Sequence, residues 1–301
     1  MTNTADIVLF TVNEFETQEV WRAFKKTAEA RARAIGPRMY WDYGEICGAR
    51  VLHTQSSMAD LGADEVARDA MQWCQPALLI AVGIAWGADR TKQKIGDILV
   101  ADPLVDADYD KRSKTDGGTP RGDSFSQSAA LRSILSMCAV TRSSASPKPD
   151  GKLRVGRVLS LPTLVDDPDE RNRLLKTYRG SIGGEMEGRG FVNAAVQSKC
   201  DWLLVKAICD WGYGKNEVEG EKDRDQPIAA RNAADFVRYA VEHGLASYAL
   251  HQRAASGATH AVANPRPAAA PMISIGVVHG NVTGSIETQT NYFGRTGGEG
   301  T

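Results

Sequence analysis

No stretch of the 301-residue chain approaches the ~20 consecutive apolar residues that a membrane helix requires. The opening MTNTADIVLF carries no basic leader ahead of its apolar run and reads as a first strand, not a signal peptide. Cysteine is sparse: Cys47, Cys74, Cys138, Cys200 and Cys209 are scattered, odd in number and without a CxxC pair. That argues against a disulfide framework or a structural zinc site and for a reducing, cytoplasmic setting. The five histidines are dispersed, and nothing clusters into a metal-ligand set or calls for a cofactor. An excess of either charge is missing too, since 36 Lys plus Arg face 37 Asp plus Glu, a net charge of −1. Nucleic acid and anionic membranes therefore have no whole-molecule attraction to exploit, although a local basic pocket stays open.

What is present is a composition of 42% hydrophobic and 24% charged residues, ordinary for a soluble protein with a sizeable core. Near-continuous apolar runs predict buried strands at 6–12, 49–55, 77–87, 94–105, 154–165 and 201–212. Between them, apolar residues at helical spacing predict helices over 17–35, 63–73, 126–139, 167–178 and 183–199. A last helix is predicted over 226–244, with proline near its start and Gly244 at its end. The polar stretches 113–124, 143–152 and 217–225 read as loops. Strand and helix alternate throughout, which predicts a three-layer α/β/α fold around a central mixed, largely parallel sheet.

That core is expected to fill residues 1–250. The Ala/Pro-rich segment 251–271 reads as a linker. In 272–301, Ile273, Ile275 and Val277 alternate, as do Val282, Gly284 and Ile286, on either side of His279-Gly280-Asn281. This is the pattern of a short C-terminal β-hairpin tail, and a lone hairpin is marginal in water. The tail is therefore expected to contribute to a homo-oligomer or to engage a partner.

Four groups of chemistry-bearing residues stand at or just after strand ends, where α/β sheets put their sites. They are TVNEFE (11–16), VGIAWGAD with KIGDILVAD (82–89 and 94–102), GGEMEG (183–188) and VKAICDWG (205–212). Carboxylates arriving from separate loops suit chemistry in which one acid protonates a leaving group and another handles water or sugar hydroxyls. In this order and spacing, over about residues 6–242, the motifs resemble the nucleoside phosphorylase and nucleosidase superfamily. GGEMEG with VKAICDW looks most like the branch fused to other modules in microbial signalling and defence proteins.

The resemblance implies cleavage of the N-glycosidic bond of a purine nucleoside or nucleotide through an oxocarbenium-like transition state. By position, Asp210 resembles the acid that protonates the departing purine, and Glu16 the glutamate that orients the attacking water. Glu187 resembles the carboxylate that grips the ribose hydroxyls, with Met186 against the sugar. Gly83, Ala85 and Gly87 would let backbone approach the substrate, and Leu164 and Val165 fall near the base-stacking segment. The resemblance also implies a homo-oligomer.

Three departures stand out: Trp86 where a second glycine is usual, Ser57-Met58-Ala59-Asp60 in place of a Gly-rich turn, and Ser160-Leu161-Pro162 in place of a Ser-Gly-Asp type sequence. The arginine set of phosphate-using members is absent, which with Glu16 favours hydrolysis over phosphorolysis. Phosphorolysis is the second choice, and a non-catalytic nucleotide-sensing or assembly module is the reading from another class. Arg38, Lys92, Lys94, Arg112, Arg121 and Arg179 are the loop cations open to a nucleotide's phosphates. His53, on an apolar strand, reads as a satisfied structural residue, and Cys209 as a small buried one.

Overall fold

The computed structural model describes residues 4–25, 30–56, 59–108, 110–111, 119–120, 122–146, 149–214 and 220–262. The chain divides into one compact unit, Met1–Ala261, and a second, Val262–Thr301. The tail expected as a hairpin lies outside the described residues, as do Ser57, Met58, Arg112 and Arg121.

Twelve strands occur among the described residues: β1 (Ile7–Thr11), β2 (Arg31–Ile35), β3 (Arg38–Ile46), β4 (Ala49–Gln55), β5 (Leu78–Gly87), β6 (Ile98–Asp106), β7 (Asp110–Lys111), β8 (Thr119–Pro120), β9 (Ser124–Phe125), β10 (Leu153–Ser160), β11 (Ser181–Glu185) and β12 (Asp201–Asp210). The helices are α1 (Glu14–Phe24), α2 (Ala59–Trp73), α3 (Ala129–Ser143), α4 (Pro168–Thr177), α5 (Gly188–Gln197), α6 (Glu221–Ala240) and α7 (Ala246–Val262), the last two joined by a π-turn at Val241–Leu245. Ten strands form one mixed sheet in the order β11-β10-β6-β12-β5-β1-β4-β3-β2, with β9 on β6. β11 also pairs antiparallel with β5, so β5, β12, β6, β10 and β11 close a ring. Glycine makes that closure feasible: Gly183 and Gly184 lie opposite Gly87 and Trp86, and a Cβ on Gly184 would come within 2.6 Å of the Trp86 ring.

The layers follow from side-chain alternation. Along β1, Ile7 and Leu9 enter one core while Val8 and Phe10 enter the other. β12 repeats the division, with Leu203, Val205 and Ala207 on the first face and Trp202, Leu204 and Ile208 on the second. Helices α1, α3, α6 and α7 cover the first face, and α2 and α5 the second. With both faces sealed, the central strands are apolar at almost every position, and burying each large side chain stabilises the fold by roughly 1.5–3 kcal/mol.

Four local expectations are corrected. Residues 31–35 form strand β2, not the end of the first helix, because Arg-Ala alternation and the Gly36-Pro37 turn suit a hairpin with β3. Residues 181–185 are strand before α5 begins. Pro227 lies inside α6, which starts at Glu221 within the stretch expected as a loop. Gly244, with φ near +151°, marks a kink and not a stop, and α7 then runs through the first part of the expected linker.

His53 on β4 is fully buried, with Nε2 2.9 Å from the Thr11 hydroxyl and Nδ1 2.9 Å from the Tyr43 hydroxyl. Burial pushes its pKa down to about 3. The unfolded chain takes up this proton near pH 6.5 and the folded chain refuses it until about pH 3. This group's share of stability is therefore complete above pH 6.5 and is lost as pH falls toward 3, by up to about 5 kcal/mol. Urea unfolding of wild type and His53→Gln across that range should show a shallower acid loss in the variant. Parallel pH curves would contradict the assignment.

Candidate active site

The end of β1 turns into α1 through Asn13, whose side chain caps the helix by accepting from the Glu16 N–H at 2.9 Å. Glu16 reciprocates, its Oε2 accepting from the Asn13 N–H at 3.1 Å and the Val12 N–H at 2.8 Å. A capping glutamate needs nothing more, yet Oε1 reaches across to β5 and accepts the Ile84 N–H at 2.9 Å. The carboxylate is thereby pinned between two strand ends, only 2% of the residue exposed. The close approach depends on Gly83, where a Cβ would collide with Oε1 and lie 2.8 Å from Cδ.

From β12, Lys206 rises beneath this carboxylate. It is 1% exposed, with Nζ 2.8 Å from Glu187 Oε2 and 3.7 Å from Glu185 Oε2. Glu185 ends β11 and accepts the N–H groups of Glu187 and Gly188 at 3.0 and 2.8 Å, anchoring the start of α5. Three buried glutamates therefore share one buried ammonium. Burial raises the pKa of Glu16 and of Glu185; Lys206 opposes the rise and Glu187 adds to it. Burial alone would lower the Lys206 pKa, but Glu187, Glu185 and Glu16 outweigh it and hold the ammonium protonated.

Asp210 closes β12. Its Oδ1 accepts the Gly212 N–H at 2.8 Å and its Oδ2 lies 3.2 Å from the Cys209 sulfur. Glu16, Glu187 and Asp210 all line one cavity of about 630 Å³, together with Met186, Ala85, Leu164 and Val165. That size suits a nucleoside-scale ligand. Gly83 and Gly87 do not line it. Gly83 stands behind Glu16, and a Cβ on Gly87 would sit 2.8 Å from the Trp211 ring, so both leave space for residues that do.

Trp86 faces the cavity and is 4% exposed, packed over Gly184 and among Leu159, Leu161 and Val165. The tryptophan in place of a small residue thus narrows the site with an aromatic wall. Trp211 and Tyr213 extend this wall beyond Asp210, and Arg90 lies over both rings at 5.5 and 5.7 Å. Of the loop cations proposed for phosphates, Arg38 is occupied by Asp69 and Glu65, and neither it nor Lys92, Lys94 or Arg179 lines this cavity; Arg90 and Lys222 do. Among the described residues no group of three or more His, Cys, Asp and Glu is placed to hold a metal.

Sequence reasoning missed Lys206 and gave Glu185 no role. The signal for Lys206 was a single charge inside the apolar run LLVKAI (203–208), which a strand buried on both faces tolerates only with a partner. Lys206→Met is expected to destabilise the fold by about 3–5 kcal/mol at about pH 8, because it strands buried carboxylates. The loss should shrink at about pH 5, where those carboxyls take up protons. Chemical denaturation at both pH values measures it, and an equal loss at each would refute the charge account.

A sequence model of the phosphorylase superfamily matches residues 12–242. A death domain-containing ATP nucleosidase from Amphimedon queenslandica is 29% identical over 211 residues, covering 62% of this chain and 37% of that protein. This chain thus spans little more than a third of that relative's length. A 5'-methylthioadenosine/S-adenosylhomocysteine nucleosidase from Tolumonas auensis is 23% identical over 194 residues, covering 64% of this chain and 82% of that protein. Among solved structures, the corresponding nucleosidase of Neisseria meningitidis superposes with a TM-score of 0.65 at 17% identity, covering 78% of this chain and 98% of that chain. Futalosine hydrolase of Helicobacter pylori gives 0.65 at 15% identity, covering 78% and 97%. The solved structures share the mixed α/β fold and, with the family match spanning most of the compact unit, this chain belongs to the phosphorylase superfamily.

Proposed function

We propose that the chain is a purine nucleosidase that hydrolyses the bond between base and ribose, acting on nucleosides or nucleotides. The observation that carries this reading is that Glu16, Glu187 and Asp210, from three separate segments, line a single nucleoside-sized cavity, with Lys206 buried against Glu187. Glu187 gives one oxygen to Lys206, which leaves the other for the ribose 2′- and 3′-hydroxyls and puts negative charge beside the developing glycosyl cation. Glu16 spends one lone pair of Oε1 on Ile84, and the second can accept a proton from water as its oxygen bonds to the sugar carbon. Burial raises its pKa, which makes it a stronger proton acceptor than an ordinary carboxylate. Asp210, beside the aromatic wall of Trp86 and Trp211, delivers a proton to the departing purine. Water supplies the hydroxyl left on the ribose, so base and free sugar account for every atom.

Electrostatics supports water over phosphate as nucleophile. The sugar end of the cavity carries more carboxyls (Glu16, Glu185, Glu187) than cations, and its ammonium, Lys206, is already engaged by Glu187, which disfavours a phosphate dianion there. The relative's description as an ATP nucleosidase supports extending the substrate class to nucleotides, and with it a role in depleting a nucleotide pool as a defence effector.

Chromatography of adenosine, methylthioadenosine, AMP and ATP incubated with the protein is expected to show free purine base at a rate independent of added phosphate. Asp210→Asn and Glu16→Gln should each lower kcat/KM by roughly 10²–10⁴-fold. Base release that requires phosphate would make the enzyme a phosphorylase. No release from any substrate, or full activity in Asp210→Asn, would overturn the mechanism.

A further inference from the structure

Next to the acidic cavity lies a second one of about 800 Å³, and Arg90 and Ile95 belong to the walls of both. Its lining holds six cations, Arg90, Lys92, Lys94, Arg142, Lys152 and Arg154, against one carboxylate, Asp97. Like charges gathered around one concavity repel each other, so each needs a reason to be there. Arg142, 7% exposed, has a structural one: it donates to the carbonyls of Gly151 and Asp150 at 2.7 and 2.5 Å. Lys92 pairs with Asp89 at 2.9 Å, and Arg154 with Asp97 at 2.8 Å.

Lys94 and Lys152 have no such reason, pairing with no carboxylate among the described residues. Their backbones are fixed all the same. Asp97, 4% exposed, accepts the Lys152 N–H on Oδ1 at 2.9 Å and the Lys94 N–H on Oδ2 at 3.2 Å. The one acid in the lining is thus spent on Arg154 and on holding the two lysine-bearing segments side by side. Asn232 ties down Gly96 from behind, donating to its carbonyl at 2.9 Å. Buried polar groups therefore hold a frame whose two ammonium groups project unpaired, with Arg90 at one end.

We propose that this second cavity is a binding site for a small anion carrying a chain of phosphate groups. The cations come from three segments (90–97, 139–143 and 149–154), which fits an extended polyanion better than a single orthophosphate. Arginine forks and lysine point charges together suit phosphate oxygens, and a concavity of this size takes a small molecule, not a duplex. Because Arg90 also bounds the first cavity and lies over Trp211 and Tyr213, an occupant here draws on a side chain that frames the substrate site.

Isothermal titration of sodium tripolyphosphate into the full chain at low ionic strength tests the site without requiring turnover. One-site binding that weakens with added salt is expected, and the double variant Lys94→Gln/Lys152→Gln should bind roughly tenfold more weakly. Lys222→Gln, which alters only the first cavity, should leave the affinity unchanged. Undetectable binding, undiminished binding by the double variant, or loss in Lys222→Gln would each overturn the proposal, whether or not the chain releases purine. A final arm titrates tripolyphosphate in the presence of ATP, using Asp210→Asn. Competition identifies the phosphate chain of a nucleotide as an occupant, and independent binding restricts the site to the free inorganic chain.

Discussion

A single buried ammonium, Lys206, organises the candidate site of this molecule. It has no access to water and therefore depends on Glu187 at 2.8 Å, on Glu185 at 3.7 Å and on the charge of Glu16 nearby. Those carboxylates depend on it in turn, for three buried negative charges facing each other have no stable arrangement without a cation or bound protons. With one ammonium for three carboxyls, the cluster cannot be fully ionised cheaply, and the raised pKa values of Glu16 and Glu185 express that strain. Perturbed carboxyls of this kind, buried and facing one charge partner in a cavity, mark a candidate functional site.

The fold pays for this arrangement with geometry that leaves little freedom. β12 brings Lys206 and Asp210 up one strand four residues apart, so both reach the same end of the sheet. Ring closure by β11 on β5 then delivers Glu185 and Glu187 to that end, and it is possible only because Gly183 and Gly184 let the backbone pass close to Trp86. Gly83 plays the same part for Glu16. Glycines in these motifs thus act less by touching a ligand than by yielding volume to the side chains that do.

Much of this was legible in the amino-acid sequence, for identifiable reasons. Buried strands such as 77–87 and 201–210 announce themselves because both faces are sealed and nearly every position is apolar. The carboxylates at strand ends stand out because a capping box or a helix start explains only part of their placement. What escaped was long-range. Arg31–Ile35 carries alanines and arginines that favour a helix locally, and only pairing with β3 makes it a strand. Strand β11 is five residues with two glycines, too weak a pattern to separate from the helix that follows. Pro227 in α6 and the continuation past Gly244 show tertiary packing overriding local breakers. The lysine in an apolar run was visible, but its three partners come from distant positions and no spacing rule links them.

Net charge conceals the most consequential electrostatic feature. A chain balanced to −1 overall carries an acidic cavity around Lys206 and, sharing a wall with it, a cavity lined by six cations. Averaging erases this separation, because the field near a ligand is set by charges within about a Debye length, ~8–10 Å. The two cavities therefore present opposite electrostatics within one small volume. The first is rich in carboxyls and aromatic rings, and the second in cations. Arg90 belongs to both, so its preference for the rings of Trp211 and Tyr213 competes with any anion on the far side. What joins the two spaces in the structure is this one charged side chain, which with Ile95 lines both.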